Sequence, residues 1–159
     1  VTFACSHVWN DICADLMDIV AYNTYPGWIS ADAAEEPPSY IRENRDKIIE
    51  RFKTYNPADK PIMVSEMGCC GLYGQHDLAN AQWSEEFQVE YLEEVIKQVL
   101  ASPELCGLAI WQFNDAKSYL RKGANIRCKP LAQNLAGVFD QYRRPKLAAE
   151  TVKKLFAEK

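Results

Sequence analysis

Strand-like and helix-like stretches alternate four times along this chain, and that alternation restricts its fold more than any other feature. Apolar runs suited to strands fall at 1–5, 18–23, 62–65 and 107–113. Helical patterns fall near 9–17, 39–55, 84–101 and from Pro145 onward. Such a series requires parallel strands joined by right-handed crossovers. Two architectures satisfy it: a doubly wound open sheet, or half of an eight-stranded (β/α)8 barrel, which needs about 250 residues when whole. The 159 residues make one domain, with no long linker or low-complexity segment. Polar and aromatic groups at the strand ends favour the barrel, because barrel enzymes gather such groups on one face. Asn23 with Tyr25, Glu66, and Trp111 with Asn114 all stand at or just past strand C-termini.

The helices carry local signals of their own. In 39–55, Ile41, Ile48, Phe52 and Tyr55 form an apolar stripe at helical spacing. Ser84 is an N-cap, and Glu85 and Glu86 suit the positive end of the helix dipole. Leu92, Val95, Ile96 and Val99 form the buried face of that helix. The last helix is expected to start at Pro145 and to turn Leu147, Ala148, Val152, Leu155 and Phe156 inward.

Composition excludes several classes. A net charge of −4 and a pI near 5.3 argue against nucleic acid or an anionic membrane as partner. No apolar run approaches the roughly 20 residues of a membrane span. The six cysteines contain no Cys-x-x-Cys, and His7 and His76 lie at no metal spacing, so no metal or other cofactor is expected. Cys5 and Cys106 read as buried free thiols, which leans towards a reducing, cytoplasmic compartment.

The chemistry centres on Lys60-Pro-Ile-Met-Val-Ser-Glu-Met-Gly68. A carboxylate at a strand end, accompanied by Tyr, Asn, Trp and His, suits sugar chemistry. Aromatic faces stack on sugar C–H surfaces, and Asn and His bind hydroxyls. Glycosidases need two carboxyl groups, and Glu66 can be either one on this logic.

Five segments in order resemble glycoside hydrolase family 2, the β-galactosidase and β-glucuronidase family. They are Asp18-Ile-Val-Ala-Tyr-Asn-Thr-Tyr-Pro-Gly-Trp28, the Glu66 segment, Trp83-Ser-Glu-Glu-Phe87, Ile110-Trp-Gln-Phe-Asn-Asp115 and Gly137-Val-Phe-Asp-Gln-Tyr-Arg-Arg-Pro-Lys146. The resemblance implies that residues 1–159 are the C-terminal half of the catalytic TIM barrel, strands five to eight. It makes Glu66 the nucleophile of a retaining β-glycosidase. Tyr25 matches a tyrosine that hydrogen-bonds the nucleophile, and Asn23 a polar neighbour. Trp111 matches a tryptophan flooring the sugar subsite, and His76 a loop histidine near the site. Trp28 either lines the pocket or packs beneath the loop. Arg143-Arg144-Pro145-Lys146 reads as structural positive charge meeting acidic surface.

Two departures from the family pattern matter. The family's acid/base, a Glu after an Asn, has no counterpart in this chain, and its expected position precedes Val1. Glu35 and Glu36 read as solvated charge. The isolated piece is therefore expected to be inactive. The Asn-x-Lys signature of glucuronidases is met only by Asn134-Leu135-Ala136, without the Lys, so a neutral β-galactoside is the expected substrate and a β-glucuronide the alternative. A non-catalytic sugar-binding or scaffold half-barrel is the competing reading. The expected partners are the β-glycoside and either a second copy, paired through open barrel edges, or the missing N-terminal half.

Overall fold

The computed structural model describes residues 1–7, 11–26, 28, 39–56, 59–118 and 129–158. Glu35, Glu36 and Cys128 lie outside the described residues, as do the start of the expected 9–17 helix and Gly27 of the Pro-Gly turn.

Four parallel strands form one sheet in the order β1 (Ala4–Cys5), β2 (Val20–Asn23), β3 (Ile62–Met67) and β4 (Leu105–Ile110). Between them run α1 (Ser39–Glu43), α2 (Arg45–Thr54) and α3 (Glu85–Leu100), and α4 (Leu147–Ala157) closes the chain. A two-stranded antiparallel hairpin, β5 (Ala116–Lys117) with β6 (Gln133–Asn134), follows β4. Chain-order strands with helical crossovers match the expected α/β architecture.

Strand alternation sends Val20, Tyr22 and Val64 to the helix-covered face of the sheet. Tyr22 stacks on Phe52 of α2 with ring centroids 4.7 Å apart and donates its hydroxyl to the Phe52 carbonyl at 2.9 Å. Leu92, Val95 and Ile96 of α3 are fully buried on the same side. Burying each such aliphatic side chain contributes about 1.5–3 kcal/mol. The other face carries Met63, Ser65 and Asn23, only partly covered.

Ser84 caps α3 as expected, accepting the Phe87 N–H at 3.1 Å. Four expectations change. The 39–55 helix breaks at Asn44, which sits outside helical geometry and whose side chain accepts from Lys47 Nζ at 3.2 Å, and α2 buries Ile49 and Phe52 while Ile48 and Tyr55 are only partly buried. Around 9–17 the described residues contain only a 3-10 turn, Ala14–Leu16. Helix α4 starts at Leu147 rather than Pro145, because Pro145 bridges Phe139 and Lys146 N–H is taken by the Val138 carbonyl. Its inward stripe is Ala148, Val152 and Leu155, while Leu147 and Phe156 are exposed. Cys106 of β4 is exposed, not buried. Among the described residues, Cys5, Cys13, Cys69, Cys70 and Cys106 form no disulfide.

Candidate active site

Glu66 stands one residue before the end of β3, opposite Asn23 of β2. Pairing irregularities flank it on both sides, between Tyr22 and Asn23 on β2 and between Val64 and Met67 against β4. Bulges of this kind re-aim side chains at strand ends. Here two residues separate the buried Val64 from the buried Met67, so Ser65 and Glu66 both stay clear of the core. The Glu66 carbonyl accepts the Thr24 N–H at 3.0 Å, fixing its backbone to the chain leaving β2.

That chain brings Tyr25 to Glu66. The Tyr25 hydroxyl donates a hydrogen bond to Glu66 Oε2. Burial, then this hydrogen bond, then the Glu66 charge push the Tyr25 phenol far above its usual range, so it remains a donor. Trp28 resolves to the second of its two expected places. It is fully buried, packs edge-on to Tyr25 with centroids 5.2 Å apart, and donates its N–H to the Tyr25 carbonyl at 3.1 Å. The Tyr91 hydroxyl of α3 holds the Pro26 carbonyl at 2.7 Å. Tyr25 thus rests on two buried aromatic supports.

Asn23 lies beside the pair in a polar row across three strand ends. Its Oδ1 accepts from Ser65 Oγ at 2.7 Å, and its Nδ2 donates to Ser6 Oγ at 3.2 Å. Trp111 follows β4, half-buried, with its N–H on the Met67 carbonyl at 2.9 Å. Gly68 makes this approach possible, since a Cβ there would lie 2.0 Å from the Trp111 carbonyl oxygen. Strand ends β2, β3 and β4 therefore bring Asn23, Tyr25, Glu66 and Trp111 to one end of the sheet.

His76 is engaged elsewhere. Its Nδ1 pairs with Glu86 Oε1 at 2.8 Å in the first turn of α3, and that hydrogen bond raises its pKa. Other described carboxylates are also committed. Glu85 accepts the N–H groups of Gly74 and Leu147, each at 2.6 Å. Glu94 pairs with Arg42, Glu104 with Arg45 and Lys53, and Asp140 with Arg144. Among the described residues, Glu66 is the carboxylate at the strand ends whose partner is a neutral hydroxyl.

The loops bearing the site are tied together beneath it, and residue patterns only hinted at how. Lys146 is fully buried rather than at an acidic surface. Its ammonium reaches the Gly71 carbonyl at 2.6 Å, Asp115 Oδ1 at 2.8 Å and the Leu135 carbonyl at 2.9 Å. Burial raises the Asp115 carboxyl, and Lys146 opposes that rise. Gln88 of α3, also fully buried, donates to the carbonyls of Cys69 and Gly137 at 3.0 and 3.1 Å. Glu85, Gln88 and Tyr91 are polar residues at three-residue spacing beside an apolar stripe, a signal that could have marked them.

The arrangement presents a braced carboxylate, a phenol donor and an indole at one strand end. No family model matches the chain. The β-glucuronidase of Streptococcus agalactiae is 29% identical over 145 residues, covering 91% of this chain and 22% of that protein. A family 2 β-galacturonidase from Eisenbergiella tayi, solved with galacturonate bound, superposes with a TM-score of 0.75 at 30% identity, over 99% of this chain and 27% of that one. The chain belongs to glycoside hydrolase family 2. A Faecalibacterium prausnitzii β-glucuronidase superposes with a TM-score of 0.76 at 25% identity, over 99% of this chain and 24% of that one. The family 2 chain spans 22% to 27% of the length of these three relatives. Its four parallel strands with alternating helices correspond to half of the family's TIM barrel.

Proposed function

We propose that this family 2 chain supplies the nucleophile half of a retaining β-glycosidase acting on β-hexuronides. The Tyr25–Glu66 hydrogen bond carries the proposal. A carboxylate aimed by a protonated phenol, beside an indole, is equipped to attack an anomeric carbon and form a glycosyl-enzyme intermediate. Asn23 and Trp111 are proposed to bind the sugar. His76 is proposed only as an outer residue of the same loop system, since its partner is Glu86.

Substrate preference follows the relatives. Their names are β-glucuronidase and β-galacturonidase, which supports the glucuronide alternative over the neutral β-galactoside expected from the missing signature Lys. Retention requires a second carboxyl group about 5–5.5 Å from the nucleophile. The described carboxylates committed to ion pairs and loop amides do not offer one, so the acid/base is proposed to come from elsewhere in the parent protein. The isolated chain is accordingly proposed to be inactive.

The test is proton NMR of the first-formed sugar from a nitrophenyl β-glucuronide with the parent enzyme. The β-anomer should appear first, and Glu66→Gln should abolish its formation. An α-anomer as first product, or turnover that survives Glu66→Gln, would contradict the proposal.

A further inference from the structure

A hexuronide differs from a neutral hexoside by one carboxylate, and holding that charge away from bulk water calls for a positioned cation. This rests on the hexuronide reading, and the described residues between β4 and α4 offer several such cations. The signature position cannot serve, because Ala136 occupies it and is only 1% exposed. Lys146 is saturated by Asp115 and two carbonyls, with no exposed surface. Arg144 is held by Asp140 and lies 4.1 Å over the Tyr73 ring. Lys117 and Arg143 are exposed side chains.

Lys129 differs from all of these. It is half-buried, its Nζ donates to the neutral hydroxyl of Ser118 at 3.0 Å, and among the described residues no carboxylate pairs with it. Its backbone is held firmly. The Ala132 N–H returns to the Lys129 carbonyl at 3.0 Å, through a turn in which Leu131 and Ala132 adopt left-handed φ of 56° and 54°. Two successive non-glycine residues in that region are costly and mark a conformation held for a reason.

The turn leads into the β5–β6 hairpin, whose base sits at the ends of β3 and β4. Gly71 N–H binds the Leu135 carbonyl, and Gln112 N–H binds the Ala136 carbonyl, each at 3.0 Å. This is the end of the sheet where Glu66 and Trp111 stand. The Cys70 thiol, four residues past Glu66, lies within electrostatic range of both Lys146 and Lys129.

We propose that Lys129, braced by Ser118, binds the substrate's uronate carboxylate and takes the place of the missing signature lysine. The ammonium has three protons, of which Ser118 takes one, so two remain for a carboxylate. Lys129 is thus a specificity-determining residue and not part of the bond-breaking machinery.

The test uses the parent enzyme with nitrophenyl β-glucuronide, β-galacturonide and neutral β-galactoside. Lys129→Gln should lower the ratio of hexuronide to neutral kcat/KM by about 10- to 100-fold, chiefly through KM, as expected for a lost charge-assisted contact. Lys129→Arg should restore most of the ratio, and a thermal melt matching that of the native enzyme would show that the fold is intact. An unchanged ratio, or an equal loss on all substrates, would overturn the proposal. If instead the native enzyme ignores hexuronides while its turnover still requires Glu66, the hexuronide reading fails together with Lys129. If turnover is independent of Glu66, the nucleophile assignment itself fails.

Discussion

Replacing Lys146 with Met tests how the site loops are held. Met keeps much of the side-chain length but removes the charge and all three donated bonds, to Gly71, Asp115 and Leu135. Asp115 is then left buried with the Gly137 N–H on the same oxygen. Breaking a buried ion pair from one side costs about 3–5 kcal/mol. The two orphaned carbonyls add to this, at about 1–3 kcal/mol each, though such terms within one network do not sum. A loss of about 4 kcal/mol, with a urea slope of about 2 kcal/mol/M, lowers the unfolding midpoint by about 2 M. That is a large share of the roughly 5–15 kcal/mol typical of a domain. Urea titration followed by tryptophan fluorescence measures it. Removing the stranded charge as well, with Lys146→Met plus Asp115→Leu, should cost less than the sum of the single changes by about 1–3 kcal/mol. A midpoint change under about 0.5 M for Lys146→Met, or strict additivity in the double variant, would show that Lys146 does not hold these loops together.

Three further outcomes are expected. Tyr25→Phe in the parent enzyme removes the hydrogen bond to Glu66 and should lower kcat/KM by about 10- to 100-fold, as for a charge-assisted bond of about 1.5–3 kcal/mol; steady-state kinetics within twofold of the native enzyme would contradict it. The His76–Glu86 pair should tighten the 72–82 loop in a defined pH window. The His pKa is raised from its ordinary 6.5, so its contribution is complete below 6.5 and lost as pH rises through the raised value. The Glu pKa is lowered from 4.5, so its contribution is complete above 4.5 and lost as pH falls through the lowered value. The Asp77 amide, which donates to Glu86 at 3.2 Å, should therefore show greater protection from hydrogen exchange at pH 6 than at pH 8.5, and equal protection would argue against the pair. Finally, β1 and β4 are open edges, and Phe113 and Leu147 are exposed, so the isolated chain should self-associate at tens of micromolar. Light scattering giving a monomer mass would count against this.

Much of the fold was legible because local signals agreed with the global arrangement. Each strand run lay close to an observed strand, and α3 matched its cap, acidic first turn and apolar face. What failed depended on partners distant in sequence. Lys146 looked like surface charge because its counter-ion, Asp115, lies 31 residues away. Cys106 looked buried because an apolar strand run does not show which of its side chains the rest of the fold covers. The Leu147 and Phe156 assignments slipped when Pro145 was taken up by a bridge to Phe139, moving the helix start by two residues. In the site, Glu66 was visible as a carboxylate at a strand end. Its bond to Tyr25 spans 41 residues, and family resemblance supplied that link where spacing could not. His76 showed the opposite limit, since a loop histidine carries no local mark of whether it faces a substrate or Glu86.

In the proposed mechanism Glu66 attacks the anomeric carbon. The most direct test treats the parent enzyme with a 2-deoxy-2-fluoro β-hexuronide bearing a good leaving group, which slows breakdown of any glycosyl-enzyme. Peptide mass mapping should then find the sugar on the peptide containing Glu66, attached to that side chain and absent after Glu66→Gln. Label on another carboxylate, or inactivation without any covalent adduct, would rule out Glu66 as the nucleophile.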